Sequence, residues 1–184
     1  MKKLIHILDS RFSFKRLLWL IPCILTVHNL EEALTMPQWV SDNHTLISSV
    51  IPGIVSFSKA QLLLSLASAT ILPFLLTAAC VNGNAKSLRL KILLGLQVIV
   101  LINVIVPHIL LSAWWLMYNP GVITAVLFNL PFSSYLFYRS ISGGFITRKD
   151  FFVIFIVDVV LYLPVVYANH EAGKIAGDIF FSLP

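Results

Sequence analysis

The sequence predicts an all-α membrane protein, a bundle of about five transmembrane helices in one domain covering residues 1–184. Three observations predict it. Hydrophobic residues make up 58% of the chain and charged residues 11%, where a soluble domain is about a quarter charged. The mean hydropathy is +0.90. The apolar residues also fall in long continuous runs whose ends are marked by lysine and arginine.

Five runs approach the length needed to cross a bilayer core of about 30 Å. They cover residues 17–35, 60–80, 92–115, 120–138 and 151–168. The last is short and carries Asp158 and Pro164. Continuous runs without alternation exclude barrel strands, and lipid offers an open backbone no partners, so the runs are helices.

Orientation follows from the basic residues. Lys2, Lys3, Arg11, Lys15 and Arg16 precede the first run; Lys86, Arg89 and Lys91 lie between the second and third; Arg139, Arg148 and Lys149 lie between the fourth and fifth. Only Lys59 and Lys174 fall on the other side, so the positive-inside rule places the N-terminus in the cytoplasm. The expected location is the cytoplasmic membrane of a bacterium, with the basic N-terminal segment retained. The net charge of +5 is accounted for by this pattern, and the partner it implies is the lipid bilayer, with no nucleic acid. Cys23 and Cys80 stand alone in apolar stretches and read as packing residues.

The first outer loop, Met36 to Ser58, places Leu46, Ile47, Val50, Ile51, Ile54 and Val55 at helical spacing. That pattern predicts an interfacial amphipathic helix, interrupted near Pro52-Gly53. Trp39, Trp114 and Trp115 read as interfacial belt residues.

Polar residues inside the runs carry the functional signal. His28, Glu31 and Glu32 stand at i, i+3 and i+4, which puts an imidazole and two carboxylates on one helix face. A charge at the bilayer centre costs on the order of 2.5–3.5 kcal/mol, less near the interface, and three ionisable groups together need a compensating partner. A histidine beside carboxylates suits a divalent cation, Zn, Fe or Mn. The third run supplies His108 at a matching depth, one residue after Pro107, which frees the Asn103 carbonyl and predicts a kink. Tyr118-Asn119-Pro120-Gly121 forms a tight turn, with Thr124 facing back into the bundle. Spacing alone leaves open which glutamate faces the histidines. Asp158 is a further buried carboxylate, and Asn169-His170-Glu171 reads as a solvated helix end.

His28-Asn29-Leu30-Glu31-Glu32 resembles the signature of the HXXEE domain family, small bacterial membrane proteins of uncharacterised function. That family pattern also contains a further histidine, matched by His108, and a Tyr-x-Pro-Gly-x-x-Thr motif, matched by Tyr118, Pro120, Gly121 and Thr124. The resemblance covers roughly residues 15 to 140 and implies no known reaction. Asn103 is an addition from the residues themselves.

The leading expectation is a membrane metalloenzyme, hydrolytic or lipid-modifying, with His28, Glu31 or Glu32, and His108 as ligands. The remaining carboxylate would serve as general base, so Glu31 and Glu32 are both candidate catalytic residues. The alternatives are an ion- or proton-coupled transport protein and a non-catalytic subunit or immunity-type protein. A metal-free glutamate protease fits less well, because those proteins resemble this chain only in pairing two glutamates with histidines and have an arginine where Met36 stands.

Overall fold

In the computed structural model, residues 12–50 and 58–181 are described. Lys2, Lys3 and Arg11 of the expected inner charge cluster, and the loop around Pro52-Gly53 with Ile51, Ile54 and Val55, lie outside them.

Every regular element among the described residues is helical. We label them α1 (Phe14–Asp42), α2 (His44–Val50), α3 (Lys59–Cys80), α4 (Leu88–Trp115), α5 (residues 122–142) and α6 (Arg148–Phe181). α1, α3, α4 and α6 are each long and apolar enough to cross a membrane. α5 occupies the fourth expected span as three abutting segments, Val122–Thr124, a π-helical turn Ala125–Asn129, and Leu130–Ser142.

Helix starts follow local chemistry. Ser13, Ser58 and Ser87 accept from the backbone N–H groups of Arg16, Gln61 and Leu90, and Gln61 returns a bond to Ser58 N–H. Thr147 and Asp150 form the equivalent reciprocal pair before α6. No such cap precedes α5, whose first residues follow Gly121 at φ +86°.

Two helices run beyond their expected ends. α1 continues past Thr35 through Pro37 to Asp42, a length of about 43 Å for its 29 residues. Trp19 and Trp39 are 20 residues, about 30 Å, apart on it, the thickness of a hydrocarbon core. The short helix α2 follows, with Ile47 buried. α6 carries Asn169-His170-Glu171 inside the helix rather than at a solvated end, because its second half packs along α3. Asn169 bonds Ser68 and the Ser65 carbonyl, and Gly173 and Gly177 lie against Ser65 and Gln61. Its opposite face exposes Phe152, Ile156, Val160 and Leu163, an apolar surface that fits lipid.

Packing divides the bundle in two. Leu17, Ile21, Leu93, Leu94, Val98 and Leu136 form an apolar core toward the Phe14 end. The buried ionisable residues His28, Glu32 and His108 lie in the half toward Trp39 and Trp115, whose rings are 6.0 Å apart. Beside this core, α4 and α6 meet at Gly95, where a Cβ would stand 2.7 Å from Asp158 Oδ2.

Gly95→Ala is therefore expected to destabilise the bundle by about 1–3 kcal/mol, the usual cost of overpacking. Thermal unfolding in detergent measures this, and Asp158→Ala in the same chain should restore most of the loss; an additive second loss would contradict the contact.

Candidate metal centre

The α1 stripe delivers His28 and Glu32 to the bundle interior, 1% and 7% exposed, while Glu31, one residue and about 100° away from Glu32, turns toward α5. The two glutamates therefore have different surroundings.

Both Glu31 oxygens meet the start of α5. Oε2 accepts from Thr124 N–H at 2.8 Å and Thr124 Oγ1 at 2.6 Å; Oε1 accepts from Ile123 N–H at 3.3 Å and Tyr118 OH at 2.8 Å. Glu31 is thus the missing N-cap of α5, supplied from another helix. It meets N–H groups that have no intrahelical partner and the positive end of the helix dipole. Thr35 joins the same cluster through Tyr118 OH at 3.2 Å. Burial, with a contribution from the Glu31 carboxylate, raises the Tyr118 phenol above its ordinary pKa, which keeps it a donor.

The cap fixes a tautomer. The Thr124 hydroxyl has one proton and lies closest to Glu31, so it donates there and accepts from His28 Nδ1–H at 2.9 Å. His28 Nε2 is left with an open lone pair.

His108 reaches the same point through a π-helical turn, Val104–Leu110, in the middle of α4. Pro107 cannot donate within the helix, and the turn absorbs the defect where a kink was expected. Asn103 and His108 are five residues apart, about 140° off in a regular α-helix, yet here Asn103 Nδ2 lies 3.0 Å from His108 Nε2. The π turn makes that pairing. Tyr162 of α6 donates its hydroxyl to Asn103 Oδ1 at 2.9 Å, which turns the Asn103 amide nitrogen toward His108. His108 Nε2 then accepts. Its Nδ1 is buried beside the Pro120 backbone without a hydrogen bond of normal geometry.

Three acceptor atoms converge as a result. His28 Nε2 lies 3.1 Å from His108 Nε2, His108 Nε2 lies 3.4 Å from Glu32 Oε1, and His28 Nε2 lies 3.8 Å from that same oxygen. A triangle with these edges has a circumscribed radius of about 2.0 Å, so one point lies that far from all three atoms. Zinc bonds to imidazole nitrogen and carboxylate oxygen are about 2.0–2.2 Å long. His28, Glu32 and His108 are a group that could hold a metal ion.

The Tyr118–Thr124 turn closes the site from the Trp39 end. Gly121 sits between the two imidazoles, and a Cβ on it would stand 2.8 Å from His28 Cε1 and 2.7 Å from His108 Cε1. Both its left-handed φ and this approach require glycine. Asn119 donates its side-chain amide to the Pro107 carbonyl, and Trp39 Nε1 donates to the Tyr118 carbonyl at 2.8 Å.

The structure thus brings together His28, Glu31, Glu32, Asn103, His108, Tyr118, Pro120, Gly121 and Thr124, with Glu31 on the cap and Glu32 facing the histidines. Asp158 lies lower, against Gly95. Two contributors were not read from the sequence. Asn119 is indistinguishable from an ordinary turn asparagine. Tyr162 carried one usable signal, its position one turn after Asp158 in an apolar helix.

Over residues 19–136 the chain matches the family described as "Protein of unknown function with HXXEE motif". That is more than half of the sequence, and the chain belongs to this family. It is also 23% identical over 149 residues to the "Uncharacterized protein YrkK" of Bacillus subtilis (strain 168), covering 81% of this chain and 90% of that protein. No solved structure matches it. α6, with Tyr162 and Asp158, lies beyond the family match.

The two glutamates should separate in a stability measurement made with chelator present. Glu31→Gln replaces an acceptor by a donor at the α5 terminus and is expected to cost about 1–3 kcal/mol. Glu32→Gln, which removes a buried charge, should cost less. Equal losses in thermal unfolding would count against the capping role.

Proposed function

We propose that this HXXEE protein is a membrane-embedded metal-dependent enzyme, hydrolytic or lipid-modifying, that binds one divalent cation on His28, Glu32 and His108. The observation that carries this reading is the common point about 2.0 Å from the three acceptor atoms. The two imidazole nitrogens lie 3.1 Å apart, and with the tautomers argued above both present lone pairs, an arrangement that a cation beside them would relieve. Three protein ligands leave one position of a tetrahedral ion open, as catalytic zinc sites do. Adjacent ligands of an octahedral ion stand about 3.0 Å apart. Two of the three edges here, 3.4 and 3.8 Å, are wider, which favours a four-coordinate ion such as zinc over Fe or Mn.

The cation would supply Lewis acidity and an acidified water. The chain's own residues orient the ligands. Glu31 holds Thr124, Thr124 holds His28 Nδ1–H, and Nε2 is thereby aimed inward. Such outer partners change metal affinity by about ten- to a hundredfold when removed. With both oxygens committed to the cap, Glu31 serves as a positioning residue rather than as the general base. The bias of basic residues supports placing the site in the outer half of the cytoplasmic membrane. Glu32 lies seven residues, about 10 Å, below Trp39.

Elemental analysis of protein purified without added chelator tests the reading. Wild type should carry about one equivalent of metal, with His28→Ala, His108→Ala and Glu32→Gln losing it. Glu31→Gln should retain it with affinity weakened by about tenfold. Metal-free wild type that also fails to take up Zn2+ or Co2+ would end the proposal.

Asp158 favours a second reading, ion- or proton-coupled transport. It is buried in α6 one turn from Tyr162, so polar groups continue below the site as Asp158, Tyr162, Asn103 and His108. If this reading holds, Asp158→Asn and Glu32→Gln should each abolish proton or cation flux in proteoliposomes. Flux absent from the wild type would remove it.

A further inference from the structure

Resting on the metal reading, we infer that the fourth ligand of the cation is an exogenous oxyanion or oxygen ligand received by Asn103, with Tyr162 as the residue that positions it. The Tyr162 side chain is 9% exposed, and its phenolic proton has Asn103 Oδ1 as its acceptor, 2.9 Å away. Turning the amide over would set Tyr162 OH against Nδ2 and cost that proton its Oδ1 acceptor. A buried donor left that way is costly, so the amide is locked with Oδ1 outward and the N–H2 group facing the centre.

That orientation excludes Asn103 as a ligand, because an amide nitrogen has no lone pair to give a metal. It makes Asn103 a donor instead. Without a cation, its N–H points at the His108 Nε2 lone pair, 3.0 Å away. A cation at the common point takes that lone pair, and the Asn103 N–H loses its acceptor while remaining at the edge of the coordination sphere. An oxygen bound in the open fourth position restores the acceptor. Nitrogen and oxygen would then be paired as they are in oxyanion-stabilising sites, with a fixed donor aimed at charge on a metal-bound atom. Charge favours the same ligand. A divalent cation with two neutral imidazoles and one carboxylate keeps one net positive charge in a water-poor interior, and an anionic oxygen or azide nitrogen offsets it. The ligand class is therefore a hydroxide, carboxylate or phosphoryl oxygen.

The test uses full-length protein in detergent loaded with Co2+, with azide as the anionic probe and the visible Co2+ bands as readout. Wild type is expected to bind azide with a change in band position. Tyr162→Phe, which keeps the ring and removes the hydroxyl, and Asn103→Ala should each weaken azide by about ten- to a hundredfold, the share of one hydrogen bond to a charged group. Azide affinity is compared at saturating Co2+, because Asn103 also sets the His108 tautomer and its loss should weaken the metal itself, as loss of an outer partner does. Unchanged azide affinity in both variants, with Co2+ still bound, overturns this inference and leaves the metal reading standing. Loss of Co2+ affinity in Tyr162→Phe with azide affinity intact assigns the pair a purely structural role and also overturns it. Failure of wild type to bind Co2+ removes both.

Discussion

The structure of the site depends on how the first turn of α5 is satisfied in lipid. A helix terminus leaves backbone N–H groups unpaired, and within a bilayer no water completes them. The other long helices meet this need with a serine or threonine of their own. α5 begins on a glycine that has no side chain to offer, and a carboxylate from α1 takes the place of the local cap. This one interaction joins α1 to α5, fixes the height of Thr124, and through Thr124 selects which nitrogen of His28 keeps its proton. The glycine is in turn required by the imidazoles that crowd it. The capped turn and the histidine pair each constrain the other.

The second constraint is proline. Pro107 removes a backbone donor from the central helix, and the ladder widens into a π turn around it. The widening gives α4 a face that a regular helix lacks, carrying Asn103 and His108 together. The carbonyl of Pro107 itself is met by Asn119 from the turn. A second π turn, Ala125–Asn129, follows Thr124 directly and packs near the first. α4 and α5 therefore both depart from α geometry beside the polar groups they present, while α1 and the parts of α4 and α5 toward Phe14 remain regular. Irregular backbone at membrane depth is tolerable here because side chains inside the bundle satisfy it.

What the sequence revealed and what it concealed divide along the same line. Helical periodicity is a local property, so His28 and Glu32 were legible as one face, and charge bias with run length located the helices. Adjacent residues on that face were not separable. Glu31 and Glu32 differ by one step of rotation, and their jobs are set by α5 and α4, which spacing within α1 cannot report. Asn103 and His108 were legible only as two polar residues around a proline, since their pairing exists through a backbone form that a 3.6-residue period does not contain. Helix ends were misjudged where packing outlasts hydrophobicity. Asn169, Gly173 and Gly177 look like a polar exit from the membrane, yet they fit against Ser65, Ser68 and Gln61 and keep α6 helical. Among the described residues four helices rather than five are long and apolar enough to cross a membrane, and α5 falls short in apolarity, since Asn129, Ser133, Ser134, Tyr135, Tyr138 and Arg139 interrupt its hydrophobic residues.

Charge balance connects these features to the proposed cation. An uncompensated charge costs about 2.5–3.5 kcal/mol at the bilayer centre and less toward the interface, so each of the two adjacent carboxylates of α1 calls for a partner. The α5 dipole offers Glu31 roughly half a positive charge together with four donors, and that carboxylate is provided for without any ion. Glu32 has no comparable set of donors. Its near neighbours are two imidazole nitrogens, and the tautomers imposed by Thr124 and Asn103 present both to it as acceptors. Three acceptors facing one another are unfavourable unless something positive lies among them. A proton on one of them still leaves the other two facing each other as acceptors. A divalent ion at their common point would relieve all three at once, and that geometric difference is the ground of the metal reading proposed above.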